Sequence, residues 1–101
     1  LNFSVHIRLA AKLDIAQAED WYEDRTPGLG VRFRTRVYDA IERIGRNPFG
    51  YPEMLPGIRR LVMSGFPFNI WFRVIGEEVL IVAVIHGKRG SRFVSAKLRG
   101  V

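Results

Sequence analysis

The stretch that decides the fold is Phe66-Pro67-Phe68-Asn69-Ile70-Trp71-Phe72-Arg73-Val74-Ile75, followed by Gly76-Glu77-Glu78 and then Val79-Leu80-Ile81-Val82-Ala83-Val84-Ile85-His86. In the first part Phe66, Phe68, Ile70, Phe72 and Val74 fall on one face. That is the period-two signature of a strand. Trp71 and Ile75 fall on the other face. Gly76-Glu77-Glu78 is a turn, and the run after it is apolar at every position from Val79 to Ile85. A strand apolar on both faces is expected at the centre of a sheet, covered on both sides. A turn this short joins antiparallel neighbours.

Upstream, Ile58 to Met63 reads as another strand, joined through Ser64-Gly65. Residues 47–57 hold three Pro and two Gly and read as a loop. Before them the period lengthens to that of helices. Gly30 to Arg46 carries an apolar stripe of Val31, Phe33, Val37, Ala40, Ile41 and Ile44, ended by Asn47-Pro48. Leu9 to Arg25 is rich in helix formers, with Ile15, Ala18 and Tyr22 on one face. Thr26-Pro27-Gly28-Leu29-Gly30 breaks the two helices into a hairpin. Phe3 to Arg8 alternates again, as a half-buried strand. The order is strand, helix, helix, strand, strand, strand. The expected fold is α+β, with a helical hairpin on one face of an antiparallel sheet ending in a three-stranded meander. The tail from Lys88 to Val101 can end in a short helix. Two helices cover one sheet face. Either the face bearing Trp71 and Ile75 stays open as a protein-binding surface, or the loop and tail fill it.

Composition narrows the function. A chain of 101 residues with 48% hydrophobic content is expected to form one domain over residues 1–101. The chain has no cysteine, which excludes disulfides and thiolate metal sites and suits a reducing, cytoplasmic setting. No apolar run approaches the roughly 18 residues of a membrane span, and no signal peptide opens the chain. His6 and His86 lie on different strands, so neither a metal nor a cofactor is expected.

The net charge is +6, and 13 of the 16 basic residues are Arg. The acids of the first helix (Asp14, Glu19, Asp20, Glu23 and Asp24) read as a solvated face. Residues 86–101 hold five basic residues (Lys88, Arg89, Arg92, Lys97 and Arg99) and no acid. Such a tail implies an anionic partner, nucleic acid or acidic protein. A second basic set lies on the strands. Arg59 and Arg60 must point to opposite faces, so one of them, with Arg73, could approach His86 and Arg89. Arginine and lysine bind phosphate. Together with a histidine they could move protons and stabilise the transition state of RNA cleavage.

Four short segments carry a family resemblance in order and spacing. Asn47-Pro48-Phe49-Gly50 is similar to an "NP-x-G" turn and Gly57-Ile58-Arg59-Arg60 to a "G-x-R-R" strand. Phe66-Pro67-Phe68-Asn69-Ile70-Trp71-Phe72-Arg73-Val74 is similar to "FPY-x-I-x-Y-x-V". Val84-Ile85-His86-Gly87-Lys88-Arg89 is similar to "V-x-H-G-x-R". Over nearly its whole length the chain resembles the RelE/ParE superfamily of type II toxins. The resemblance implies one of two activities. RelE-type toxins are ribosome-dependent mRNA endoribonucleases, for which Arg59 or Arg60, Arg73, His86 and Arg89 are the candidate catalytic residues. ParE-type toxins inhibit DNA gyrase, for which Lys88, Arg89, Arg92, Lys97 and Arg99 are the candidate contacts. Residues 87–101 hold Phe93 but no tyrosine. A phenyl ring moves no proton, and the "FPF" and "HGKR" segments look more like the ParE branch. The resemblance also implies a cognate antitoxin, acidic and with a tail that folds on binding, for which Trp71 and Ile75 are the candidate contacts. A non-toxic basic binding module is the remaining alternative.

Overall fold

The computed structural model describes residues 2–100. The elements are β1 (Ser4–Ile7), α1 (Leu9–Arg25), α2 (Leu29–Arg46), a single 3₁₀ turn (Pro48–Gly50), β2 (Glu53–Leu55), β3 (Ile58–Val62), β4 (Phe68–Ile75), β5 (Glu78–His86) and α3 (Ser91–Leu98). They form an α+β fold with one five-stranded sheet in the order β1-β5-β4-β3-β2. The expected helical hairpin and antiparallel meander are present.

Two features correct the sequence reading. The sheet is mixed, because β1 pairs with β5 in parallel, Ser4 opposite Glu78 through Ile7 opposite Ile81. More than 70 positions separate these partners, and no local pattern records their relative direction. The loop at 47–57 also contains β2, a three-residue edge strand against β3. It is exposed throughout, so no hydrophobic alternation announces it.

The main core lies between the sheet and the helical hairpin. It contains Ala11, Ile15 and Ala18 of α1, and Phe33, Val37, Ala40, Ile41 and Ile44 of α2. Leu61, Ile70, Phe72, Val79, Ile81 and Val84 face them from the strands. Val31 lies outside this core and is exposed, because it starts α2 beyond the point where the two helices meet. The helices approach closely at Gly30, where a Cβ would stand 2.6 Å from the Glu19 carbonyl oxygen. Glu23 of α1 caps the start of α2, accepting the Gly28 N–H at 2.9 Å and the Gly30 N–H at 3.0 Å. These two donors would otherwise be unpaired at the helix terminus.

A second, smaller core fills the opposite face. Trp71, Val82, Ala83 and Ile85 pack there with Leu98 of α3. The tail helix therefore covers part of the face that two helices leave bare. This explains why β5 is apolar on both sides: it is interior to the sheet, with helix on each face. Among the described residues no helix is long and apolar enough to cross a membrane.

Candidate functional site

A β-bulge decides where the candidate residues go. In the β4–β5 ladder Trp71 pairs with Ala83, but Phe72 pairs with Ile81, leaving Val82 as an extra residue. Val79 and Ile81 face the helical hairpin. Without the bulge, Ala83 and Ile85 would follow them and His86 would point away. With it, Val84 and His86 face the hairpin. His86 lies opposite Phe68, their rings edge to face at 5.1 Å.

The arginines divide in a different way. Arg59 pairs with Phe72 on the hairpin face and donates to the Tyr51 carbonyl at 2.7 Å. Arg60 pairs with Trp71 on the opposite face, its guanidinium 5.7 Å from the indole centroid. Arg73 shares that face, opposite Leu80. The Nε atoms of Arg60 and Arg73 and the Trp71 Nε1 are buried and meet no acceptor among the described residues. The sheet thus brings Arg60 and Arg73 to one face and sends Arg59 and His86 to the other. The Lys88 N–H donates to His86 Nδ1 at 3.1 Å. A backbone amide can only donate, so Nδ1 must accept, and the neutral imidazole carries its proton on Nε2.

The tail residues also separate. Lys88, Arg89, Arg92 and Arg99 are exposed, and the Arg89 guanidinium lies 4.3 Å from the Phe93 ring centre. Lys97 is turned inward to pair with Asp14 of α1, whose side chain is only 8% exposed. The other Asp14 oxygen accepts the Val84 N–H at 3.0 Å. Arg8 donates to the Lys97 carbonyl at 3.2 Å. Leu98, Lys97 and Arg8 together fix α3 across the end of β5. Trp71 lies beneath α3, 6% exposed, and is closed to a partner in this arrangement, whereas Ile75 at the strand end is 53% exposed.

Clefts lie on both sides of α3. The smaller, of about 230 Å³, is bordered by Arg60, Trp71, Arg89 and the β2 residues Met54 and Leu55. The larger, of about 520 Å³, runs between α1 and α3, with Trp21, Tyr22, Phe68, Val84, His86 and Phe93 on its walls. Burial raises the Tyr22 pKa above the ordinary 10.0. Sequence reasoning passed over Asp14, Trp21 and Tyr22 as a site. A signal was present: Asp14 sits three residues after Ala11 and four before Ala18, inside the apolar stripe of α1 rather than on its solvated face.

Residues 5–90 match the family described as "ParE toxin of type II toxin-antitoxin system, parDE". The chain belongs to the ParE toxin family. It is a type II toxin of ParE type. It is 26% identical over 88 residues to "Toxin ParE2" of two Mycobacterium tuberculosis strains, covering 86% of this chain and 84% of the relative. Its fold is similar to a chain of the chromosomal ParDE system of P. aeruginosa, with a TM-score of 0.76 and 22% identity over 83% of this chain and 95% of the other. A mutant of the E. coli toxin RelE in its free state has the same fold, with a TM-score of 0.71 and 11% identity over the full length of both chains. As a ParE-type toxin, the chain has an antitoxin as its partner.

Proposed function

We propose that this ParE-family chain poisons DNA gyrase rather than cutting mRNA, and that an acidic antitoxin neutralises it. The observation that carries this reading is the Val82 bulge, which rotates His86 off the face occupied by Arg60 and Arg73. General acid–base cleavage needs a proton-transfer group within hydrogen-bond reach of the reacting oxygens, beside the cations that stabilise the transition state. Here the imidazole and the arginines point to opposite sides of the sheet. The smaller cleft holds no carboxylate or tyrosine among its lining residues.

Lys88, Arg89, Arg92 and Arg99 remain as the exposed cations of the tail and are our candidates for target contact, while Lys97 is engaged in holding α3. Gyrase works on DNA in the cytoplasm, where we place the toxin's action. The test is pulse-labelling of new DNA and new protein immediately after induction. The reading expects DNA synthesis to stop first. An earlier stop in protein synthesis would contradict it and favour the ribonuclease alternative.

A further inference from the structure

We propose that the groove between α1 and α3 seats an extended, acidic segment of the antitoxin, which joins the sheet as a parallel strand on the free edge of β5. This rests on the antitoxin-neutralised reading above and deepens it by naming the place and the mode of entry.

The argument starts from where β1 ends. Its last bond to β5 is the Arg8 N–H donating to the Ile81 carbonyl at 3.0 Å. From Val82 onward β5 has no strand on that side. The backbone parity there can be read from the other ladder. The Gly87 N–H donates to the Pro67 carbonyl at 2.7 Å. Phe68 donates to the Phe66 carbonyl and accepts from the Met63 N–H. Phe68 and His86 are therefore a non-hydrogen-bonded antiparallel pair, and the backbone groups of His86 point to the opposite edge. Val84 has the same parity, which is why its N–H reaches Asp14.

Two of the four groups on this edge are already engaged. Asp14 takes the Val84 N–H, and the Arg89 N–H takes the His86 carbonyl at 3.0 Å. The Val84 carbonyl and the His86 N–H are left facing the groove. An antiparallel strand exchanges two bonds with one residue of its neighbour, and Asp14 and Arg89 block that at both residues. A parallel strand instead places one residue between two neighbours. Its N–H would meet the Val84 carbonyl, and its carbonyl would meet the His86 N–H. The free pair fits parallel addition, continuing the direction of β1.

The walls supply specificity as strand addition requires, with backbone bonds along the edge and pockets for side chains. Trp21 is 51% exposed and Phe93 is 38% exposed. Each carries a guanidinium on its ring: Arg25 lies 3.4 Å from the Trp21 centroid and Arg89 lies 4.3 Å from that of Phe93. Apolar side chains of the entering strand would meet the aromatic surface. Its carboxylates would meet Arg25 and Arg89, in a chain of net charge +6.

The test is amide hydrogen exchange by NMR on the full chain, free and bound to the full-length antitoxin encoded beside it. In the free chain the Val84 amide is expected to exchange slowly and the His86 amide fast. In the complex the His86 amide should slow by about 100-fold or more. A Trp21→Ala, Phe93→Ala double variant, checked by melting to be folded, should bind the antitoxin at least about tenfold more weakly. Tight binding with unchanged His86 exchange overturns strand addition, and wild-type affinity of the double variant overturns the groove. Both results leave the toxin–antitoxin reading standing. No binding of the antitoxin to the wild-type chain overturns that reading itself.

Discussion

Replacing Asp14 tests whether one carboxylate ties α1, β5 and α3 together. Its side chain is 8% exposed and accepts from the Val84 N–H and from Lys97, which is 29% exposed. A hydrogen bond to a charged group contributes about 1.5–3 kcal/mol. The ion pair contributes less, about 1 kcal/mol, because Lys97 can swing out and rehydrate. Asp14→Ala should then cost about 3 kcal/mol, which for a domain of this size lowers Tm by about 12–24 °C. Asp14→Asn keeps an oxygen for Val84 and loses only the charge, so it should cost about 1 kcal/mol. Lys97→Met should cost a similar amount, and the Asp14→Asn, Lys97→Met pair little more than either alone. That is a coupling of about 1 kcal/mol. Thermal and urea unfolding by circular dichroism measure all four proteins. A Tm for Asp14→Ala within a few degrees of wild type would refute the tie. Additive effects in the double variant would refute the direct pairing of Asp14 with Lys97.

Other positions give equally definite expectations. Gly30→Ala gains helix propensity but drives a methyl into the Glu19 carbonyl. Separating the helices should cost about 1–3 kcal/mol, seen as a lower urea midpoint; a more stable variant would contradict the close approach. Tyr22 has a folded pKa above 10.0, so the unfolded chain loses that proton first as pH rises. Stability should fall as pH climbs from 10 through the folded value, and Tyr22→Phe should remove that part of the fall in pH-dependent melts. Replacing Lys88, Arg89, Arg92 and Arg99 with Ser should abolish growth arrest without lowering Tm by more than a few degrees, since all four are exposed. Persistent toxicity would remove the tail from the target surface.

Much of the architecture is legible because its signals are periodic. The alternation from Phe66 to Val74 fixes β4 and its buried face. The stripes through Ile15, Ala18 and Tyr22 and through Phe33, Val37, Ala40 and Ile44 fix the helical hairpin. What escapes the sequence lacks a period. The run from Val79 to Ile85 is apolar throughout, so a bulge at Val82 leaves no trace, and yet that bulge sets which face His86 occupies. The partner of β1 lies more than 70 residues away. The choice between Arg59 and Arg60 depends on which face the helices cover, and this the ladder settles: Arg59 lies under the hairpin side and Arg60 on the other. Trp71 looks open while the tail is treated as a tail. Once Leu98 folds back as part of α3, the indole is covered.

The most direct measurement of the central claim uses the purified chain in two parallel reactions, plasmid supercoiling by DNA gyrase and translation of a defined mRNA by purified ribosomes. The account predicts loss of supercoiling, restored by the antitoxin, while the mRNA stays intact. Cleavage of the ribosome-bound mRNA with supercoiling unaffected would contradict it.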